Sequence, residues 1–130
     1  MEGFVEIKVD RWFAINGDTQ EIFSEVSDIM YDSVIENFNQ GGRPRWAPLK
    51  SGKPSFLTDT HRLRNSFQKK NDDVSAEVST DTDYAKFHQR GTKWMPMRPM
   101  LIFQEEDKEN IMGKFKVGLI KFTDGNGNVE

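Results

Sequence analysis

The chain has 130 residues, of which 35% are hydrophobic and 30% charged, and it contains no cysteine. This length suits one domain with its own core, and the lack of cysteine excludes disulfides, thiol nucleophiles and cysteine-ligated zinc. No apolar run approaches the roughly 20 residues that span a bilayer, and the N-terminus lacks the layout of a secretion signal, so we expect a protein made in a cytoplasm.

The formal net charge of −3 is the average of three unlike blocks. Residues 1–40 carry nine acidic and two basic side chains, residues 41–70 carry one and eight, and residues 71–130 carry eleven and eight. A basic block of this kind is typical of a nucleic-acid interface. An acidic block of equal size in the same chain also suits binding to a second copy. The charge pattern therefore leaves both kinds of partner open.

The first 40 residues predict a strand and a long helix. Residues 4–10 alternate apolar and charged side chains, which predicts a half-buried strand. Asp18 and Glu21 form a capping-box pair, so we expect a helix over residues 19–38. Its apolar face predicts burial. Its other face carries an acidic stripe, in which like charges repel by about 0.2–0.5 kcal/mol per pair, so the stripe is either solvated or meets a basic partner. The acidic stripe consists of Glu21, Glu25, Asp28, Asp32 and Glu36.

A loop rich in proline and glycine follows this helix. Gly41 and Gly42 predict the helix end. Residues 41–54 hold three prolines and three glycines, which exclude regular structure. We expect residues 41–56 to be a mobile basic loop. Trp46 is its apolar anchor, held either by its own domain or by a neighbouring subunit.

Shorter elements are predicted in the middle of the chain. Leu63 and Phe67 stand four apart, which predicts a short helix. Residues 74–79 alternate and predict a strand that follows a turn. Residues 83–89 predict a brief helix that ends at Gly91.

The C-terminal part predicts one more helix and one more strand. Pro99 suits the first turn of a helix, which we expect to run to residue 112, and residues 115–122 predict the last strand. Together these elements predict an α+β fold, with a small, mostly antiparallel sheet packed by the long helix. We expect one domain over residues 1–122 and a flexible tail over residues 123–130.

Patterns for catalysis and metal binding are weak. The two histidines, His61 and His88, lack a metal-ligand spacing such as H-E-x-x-H. Asp81 and Asp83 precede His88, and this combination of two aspartates with a histidine is only loosely typical of a nuclease active site. We therefore predict no enzymatic activity, no metal and no cofactor. His88 is interpreted as a structural histidine whose ring nitrogens bond the backbone or a carboxylate.

Four segments in a fixed order resemble a known family. They are Trp46-Ala47-Pro48-Leu49, residues 57–66 (LTDTHRLRNS), residues 84–91 (YAKFHQRG) and residues 95–101 (MPMRPML). They resemble the W-x-P-L, L-x-x-T-G-x-L-x-x-S, Y-A-x-x-H-Q-x-G and P-x-R-P-x-L segments of the phage virion morphogenesis family, the tail-completion proteins of tailed bacteriophages. His61 stands where that family has glycine.

The resemblance implies a structural protein of the virion. Such proteins form rings at the neck or upper end of the tail, commonly of six subunits, and complete the tail or join it to the head. The implied partners are further copies of the chain, tail-tube or terminator proteins and head-connector proteins, with incidental DNA contact in the lumen and no membrane. The residues that the resemblance makes structural or assembly residues are Arg43, Arg45, Trp46, Pro48, Leu49, Leu63, Ser66, Tyr84, His88, Gln89, Gly91, Pro96, Arg98 and Pro99.

The two oppositely charged blocks predict a contact between subunits. We expect the acidic stripe of one subunit to meet Arg43 and Arg45 of the next, with Trp46 as the apolar anchor. The alternative is a nucleic-acid-binding module in which Trp46 stacks on a base and the basic side chains contact phosphates. Those side chains are Arg43, Arg45, Lys50, Lys53, Arg62, Arg64, Lys69 and Lys70.

Overall fold

The computed structural model describes residues 5–11, 20–52, 62–73, 75–82, 84–114, 120–126 and 128. Its elements in chain order are β1 (Val5–Arg11), α1 (Gln20–Gln40), α2 (Arg62–Asn65), β2 (Gln68–Asn71), β3 (Ser75–Thr80), α3 (Ala85–Arg90), α4 (Glu105–Met112) and β4 (Ile120–Thr123). The strands form one sheet in the order β2-β3-β1-β4, and each neighbouring pair is antiparallel. This arrangement confirms the predicted α+β fold.

Several predicted features lie outside the described residues. They are the cap at Asp18, the side chains of Lys53, His61 and Asp83, and residues 115–119 of the last strand.

Helix α1 supplies one side of the core and packs on β2 and β3. Its buried apolar residues recur three or four positions apart, as a single helix face requires. They meet Ala76 and Val78, which lie on β3 and are fully buried. None of the described helices, α1 included, is long and apolar enough to cross a bilayer. The buried apolar residues of α1 are Phe23, Val26, Met30, Val34 and Phe38.

Two glycines end α1, as the sequence predicts. Gly41 and Gly42 adopt φ values of 70° and 98°, a region that side chains disfavour. The Gly42 N–H donates to the Asn37 carbonyl at 2.7 Å, and the Trp46 N–H donates to the Gly41 carbonyl at 2.7 Å. A Cβ at Gly42 would lie only 2.5 Å from the Trp46 ring. The glycine therefore lets the chain turn back tightly enough to place Trp46 against the helix.

Strand β2 is an element that the sequence pattern does not predict. It pairs with β3 from Gln68↔Ser79 to Asn71↔Ala76, and its side chains are exposed or half-buried. A polar edge strand with lysines needs no apolar alternation, because it contributes backbone hydrogen bonds rather than core side chains. The hairpin turn is closed by Asp72, whose carboxylate accepts from the Ser75 N–H at 2.8 Å.

The helix expected from Pro99 begins instead at Glu105, so the predicted start is wrong. The backbone N–H groups of the two residues after Pro99 both donate to the Gln89 side chain, at 2.9 and 2.8 Å. This bonding ties that stretch to α3, and it has no regular structure. The helix starts where the Asp107 carboxylate accepts from the Gln104 N–H at 3.3 Å, which is half of a capping box.

The chain after β4 makes defined contacts where they are described. The Gly125 N–H donates to the Leu101 carbonyl at 2.9 Å. The Asp124 carboxylate accepts from the N–H groups of Asn126 and Asn128 at 2.8 and 3.0 Å, which is how aspartate closes a turn on itself. The flexibility expected of residues 123–130 stays a prediction.

Candidate functional site

Gln89 joins α3 to the segment that contains Pro99. Its side chain is fully buried, and a buried amide needs partners for both of its ends. Its Oε1 accepts from the N–H groups of Met100 and Leu101, and its Nε2 donates to the Leu101 carbonyl at 3.2 Å. One side chain thus fixes the path of two consecutive residues.

Arg98 and Trp46 bind two of the motif segments to each other in both directions. Arg98 is buried, and its Nε and Nη2 donate to the carbonyls of Ala47 and Pro48 at 2.9 and 3.1 Å. In return, the Trp46 Nε1–H donates to the Pro99 carbonyl at 2.8 Å. The guanidinium reaches both carbonyls because its donors form a fixed fork.

The described part of the basic loop, residues 41–52, bonds to its own chain, which differs from the intersubunit arm that the sequence predicts; the mobility expected of residues 41–56 stays a prediction. Trp46 is only 3% exposed and meets the Phe38 ring edge-on at 5.5 Å. Arg43 donates to the Asn37 side chain and to both the carbonyl and the hydroxyl of Ser33, each at 2.7 Å. A cation is favoured at the C-terminal end of a helix. Trp46 is thus not the intersubunit anchor, and the guanidinium of Arg43 is already engaged.

Asn37 is a buried polar residue of this site that the sequence reasoning missed. Its side chain is fully buried in α1, where its Nδ2 donates to the Met100 carbonyl at 2.7 Å while its oxygen accepts from Arg43. It thereby connects the helix, the basic loop and the Pro99 segment. The signal for it was present, since Asn37 and Ser33 lie four apart on the mostly apolar face of α1.

Two more polar contacts connect α1 and the basic loop to α4. The Ser33 hydroxyl donates to the Asp107 carboxylate. The Gln104 side chain donates to the Arg43 carbonyl at 2.7 Å. We call the whole set the motif junction, and its members are Ser33, Asn37, Arg43, Trp46, Ala47, Pro48, Gln89, Arg98, Pro99, Met100, Leu101, Gln104 and Asp107.

His88 lies beside the junction, and the hydrogen bonding of its ring differs from the prediction. Its half-buried ring meets the Tyr84 ring edge-on at 5.8 Å. Its Nδ1 is buried and finds no hydrogen-bond partner among the described residues, contrary to the expected bonds from its ring nitrogens. Burial first, and the nearby Arg98 charge second, lower the pKa of His88 below its usual value. The backbone of His88 does anchor the next segment, because its carbonyl accepts from the Arg98 N–H at 2.7 Å.

The other predicted motif residues lie away from the junction. Leu63 is buried in the core, and the Ser66 hydroxyl is 2.6 Å from that of Thr80 on β3. Gly91 ends α3 with a φ of 74°. Arg45, Leu49 and Pro96 are exposed to solvent, and so is the side chain of Pro48, whose carbonyl alone takes part in the junction.

The acidic stripe is accessible, and its own chain neutralises part of it. Four members are exposed and Glu36 is half-buried. Asp28 pairs with Lys69 at 2.6 Å, and Glu25 lies 3.3 Å from Lys114. Exposed pairs of this kind contribute about 0.2–1 kcal/mol each, so a stronger partner displaces them easily. Contact between the stripe and a neighbour stays a prediction.

The described part of the basic block does not form one continuous patch. Lys69 and Lys70 lie on β2 and pair with Asp28 and Glu77, both at 2.6 Å. Arg62 lies over the Tyr84 ring at 5.4 Å. These cations are therefore spread over several elements, and most of them have partners in their own chain.

The segments that gather at the junction are matched by comparison with known proteins. The profile of the phage virion morphogenesis family matches residues 5–119. The chain belongs to this family. The Mu-like prophage FluMu G protein 2 of Haemophilus influenzae is 33% identical over 98 residues, which cover 70% of this chain and 71% of the relative. No solved structure gives a significant match.

The virion morphogenesis protein thus uses its motif residues to hold its own backbone. Most of the polar side chains of the junction form a hydrogen bond with a backbone carbonyl or N–H group of the same chain. Within the described ranges, no three histidine or carboxylate side chains lie close enough together to hold a metal ion. The arrangement can fix loops in place.

Proposed function

We propose that this morphogenesis protein completes the phage tail and joins it to the head connector by forming a ring at the neck. Its role is structural and not catalytic. Its partners are further copies of itself, the tail-tube or terminator protein and the head-connector protein. Family membership supports a role in virion morphogenesis, and the finer assignment is supported by how the motif junction is built.

The observation that carries the proposal is that the motif residues stabilise loops. The polar side-chain groups of Gln89, Arg98 and Trp46 form hydrogen bonds with backbone atoms of neighbouring segments. Such bonds leave the outer surfaces of those segments fixed in shape, and a preformed surface loses less entropy when it binds a partner. A subunit that must fit between a tail and a head needs rigid surfaces of this kind.

Nucleic-acid binding through residues 43–70 is the alternative, and the structure gives it less support. The base-stacking role falls to Trp46, which is buried in the core. Lys69 and Lys70 are engaged in ion pairs. A fluorescence titration with short DNA at low and moderate salt tests the alternative. Absence of binding at low salt would remove it, since phosphate contacts are strongest there.

The proposed function is tested in a phage or prophage that carries this gene. A nonsense allele should yield filled heads and separate tails in electron micrographs, and the gene supplied in trans should restore joined, infectious particles. Gold labelling of an epitope-tagged chain should mark the head–tail boundary. Joined and infectious particles made without the protein would show that the proposal is wrong.

A further inference from the structure

Trp94 is the most exposed large apolar side chain in the described part of the protein, at 84%. It lies in the loop of residues 91–97, which is not loose. The Thr92 hydroxyl accepts from the N–H groups of Trp94 and Met95, both at 3.1 Å, and the Thr92 N–H donates to the Met95 carbonyl at 2.9 Å. The loop therefore holds the indole out in solvent, where an aromatic side chain gives up most of its hydrophobic stabilisation.

Lys93 contacts this indole, and further exposed apolar and basic side chains lie in the same loop and at the helix end before it. Met97 in the same loop is 51% exposed, and the ammonium of Lys93 lies 4.9 Å from the centre of the Trp94 ring. Arg90 is exposed at the end of α3 that leads into the loop. Aromatic residues flanked by cations are typical of the centre of protein interfaces. We call Arg90, Lys93, Trp94 and Met97 the Trp94 knob.

A groove of about 440 Å³ runs between α1 and α4 on another part of the surface. Ile29 gives it a half-buried apolar wall, and Gly113 at the end of α4 contributes no side chain. Glu109 lines it, and the Glu25 carboxylate lies beside it through its contact with Lys114 at 3.3 Å. The groove thus has one apolar wall, at Ile29, and a mostly polar lining, and two carboxylates, Glu25 beside it and Glu109 within it, accompany the cation of Lys114. Its lining residues are Ile29, Glu109, Asn110, Gly113 and Lys114.

The knob and the groove are complementary but separate. The knob precedes Met100, which is bonded to Asn37 near the C-terminal end of α1. Ile29 lies eight residues earlier on the same helix, about 12 Å along its axis. When one patch of a subunit binds the other patch of its neighbour, the contact is head to tail. Head-to-tail contacts generate rings when the rotation closes.

We propose that the Trp94 knob of one subunit inserts into the α1–α4 groove of a second copy. Burial of the indole against Ile29 supplies the affinity. Lys93 and Arg90 meet Glu109 and displace Lys114 from its exposed pair with Glu25, and these charges set orientation and encounter rate. The proposal rests on the proposed ring and specifies its contact, and it replaces the arm of Arg43 and Trp46 that the sequence predicts.

Cysteine cross-linking tests the contact, since the chain has no cysteine of its own. Lys93→Cys keeps the indole, and Asn110→Cys places a thiol in the groove. Oxidation of the two variants mixed should give disulfide-linked dimers, while each variant alone gives at least tenfold fewer. The matched control mixes Lys93→Cys with Asn65→Cys, an exposed position at the end of α2. Adding Trp94→Ala to the Lys93→Cys chain should remove the cross-link and leave the circular dichroism unchanged.

Three results would overturn the contact. One is a mixture of Lys93→Cys and Asn110→Cys that cross-links no more than the Asn65→Cys control, at concentrations where native mass spectrometry shows oligomers. Another is equally efficient cross-linking of Lys93→Cys with itself, which indicates a symmetric pair. The third is a Trp94→Ala chain that loses head–tail joining while the mixture of Lys93→Cys and Asn110→Cys, which retains Trp94, gives no specific cross-link; this indicates that another virion protein receives the indole.

The experiments can contradict the proposed contact and the proposed function independently of each other. Oligomers that form normally with Trp94→Ala, in a protein still required for head–tail joining, contradict the contact and leave the proposed function standing. A specific cross-link in a protein that phage assembly does not require supports the contact and contradicts the proposed function.

Discussion

Gln89 is the residue on which the Pro99 segment depends most directly. Its amide accepts two hydrogen bonds at Oε1 and donates one from Nε2, so its acceptor and its donor lie on separate atoms that reach different backbone groups. Because the surroundings are fully buried, water cannot replace these bonds. The side chain therefore acts as part of the backbone hydrogen-bond network.

Replacing Gln89 with leucine should destabilise the protein by about 3 kcal/mol. The substitution keeps the volume but leaves the N–H groups of Met100 and Leu101 buried without an acceptor, and each such group costs about 1–3 kcal/mol. Urea denaturation measures the change. The matched control is Gln40→Leu at the exposed end of α1, which should stay within about 0.5 kcal/mol of the parent. Equal effects of the two substitutions would contradict the role of Gln89.

His88 should make the stability of the protein depend on pH. Its pKa is lowered in the folded chain, so as pH falls the unfolded chain takes up the proton first, near the usual value of about 6.5. The stability that comes from the neutral ring is fully present above that value and is lost as pH falls toward the folded pKa. His88→Gln should abolish this part of the loss.

Urea denaturation of the parent and His88→Gln between pH 7.5 and pH 5 checks this prediction. The difference in unfolding free energy between the two chains should shift against the parent as the solution becomes more acidic. The second histidine is common to both chains and cancels in the comparison. A difference that is constant across the range would show that burial does not lower the pKa of His88.

At the scale of elements, the turn after α1 decides where the basic loop goes. Gly42 brings the chain round so that Trp46 reaches Phe38 and the Pro99 carbonyl. The same loop contains Gly52, which also has a positive φ, of 85°, but has no heavy atom within 4 Å of an added Cβ. Both glycines need a left-handed backbone, but only Gly42 also needs the space that a side chain would fill. Comparing the two therefore distinguishes the cost of the conformation from the cost of the close contact.

Gly42→Ala should cost clearly more stability than Gly52→Ala. An alanine at either position pays about 1–2 kcal/mol for a left-handed conformation. At Gly42 the new methyl group also forces Trp46 out of contact, so core burial is lost as well. Thermal unfolding followed by circular dichroism, together with the Trp fluorescence of the native state, gives both quantities. An equal fall in Tm for the two variants would mean that the close approach to Trp46 is unimportant.

Across the whole molecule, charge is separated into an acidic face on α1 and a basic, apolar loop at Trp94. The stripe forms weak ion pairs with Lys69 and Lys114. Because exposed pairs contribute little stability, the cations of a neighbouring subunit can replace these lysines at low cost. Long-range attraction between unlike faces raises the rate of association at low salt and is screened at about 10 Å in 0.1 M salt.

Asp32→Lys should slow self-association at low salt while leaving the fold intact. Asp32 is exposed in the acidic stripe, and the substitution places a cation one turn from the groove. Stopped-flow light scattering at low and high salt should show an association rate reduced several-fold in the first condition and nearly unchanged in the second. Asp81→Lys, at an exposed position between β3 and α3, is the control of equal charge. Equal slowing by both substitutions would assign the effect to net charge alone.

The sequence by itself determined the local elements and the family. Alternation predicted β1 and β3, the apolar spacing predicted α1, and the paired glycines predicted its end, because each of these signals is contained in a few consecutive residues. The ordered segments around Trp46, Gln89 and Arg98 were enough to identify the family. None of these steps required knowledge of which segments touch.

Only the tertiary structure decided what the motif residues do. Arg43 could have bonded a neighbour or its own helix, and Pro99 could have opened a helix or followed an irregular path. Asn37 decides the first case, since it bonds both Arg43 and Met100, which lies 63 residues away. Gln89 on α3 decides the second, because it accepts from the buried N–H groups of Met100 and Leu101. Local propensity is worth less than about 1 kcal/mol per residue, whereas a buried unsatisfied polar group costs about 1–3 kcal/mol. Hydrogen bonding between separate elements therefore overrode the local pattern at these positions.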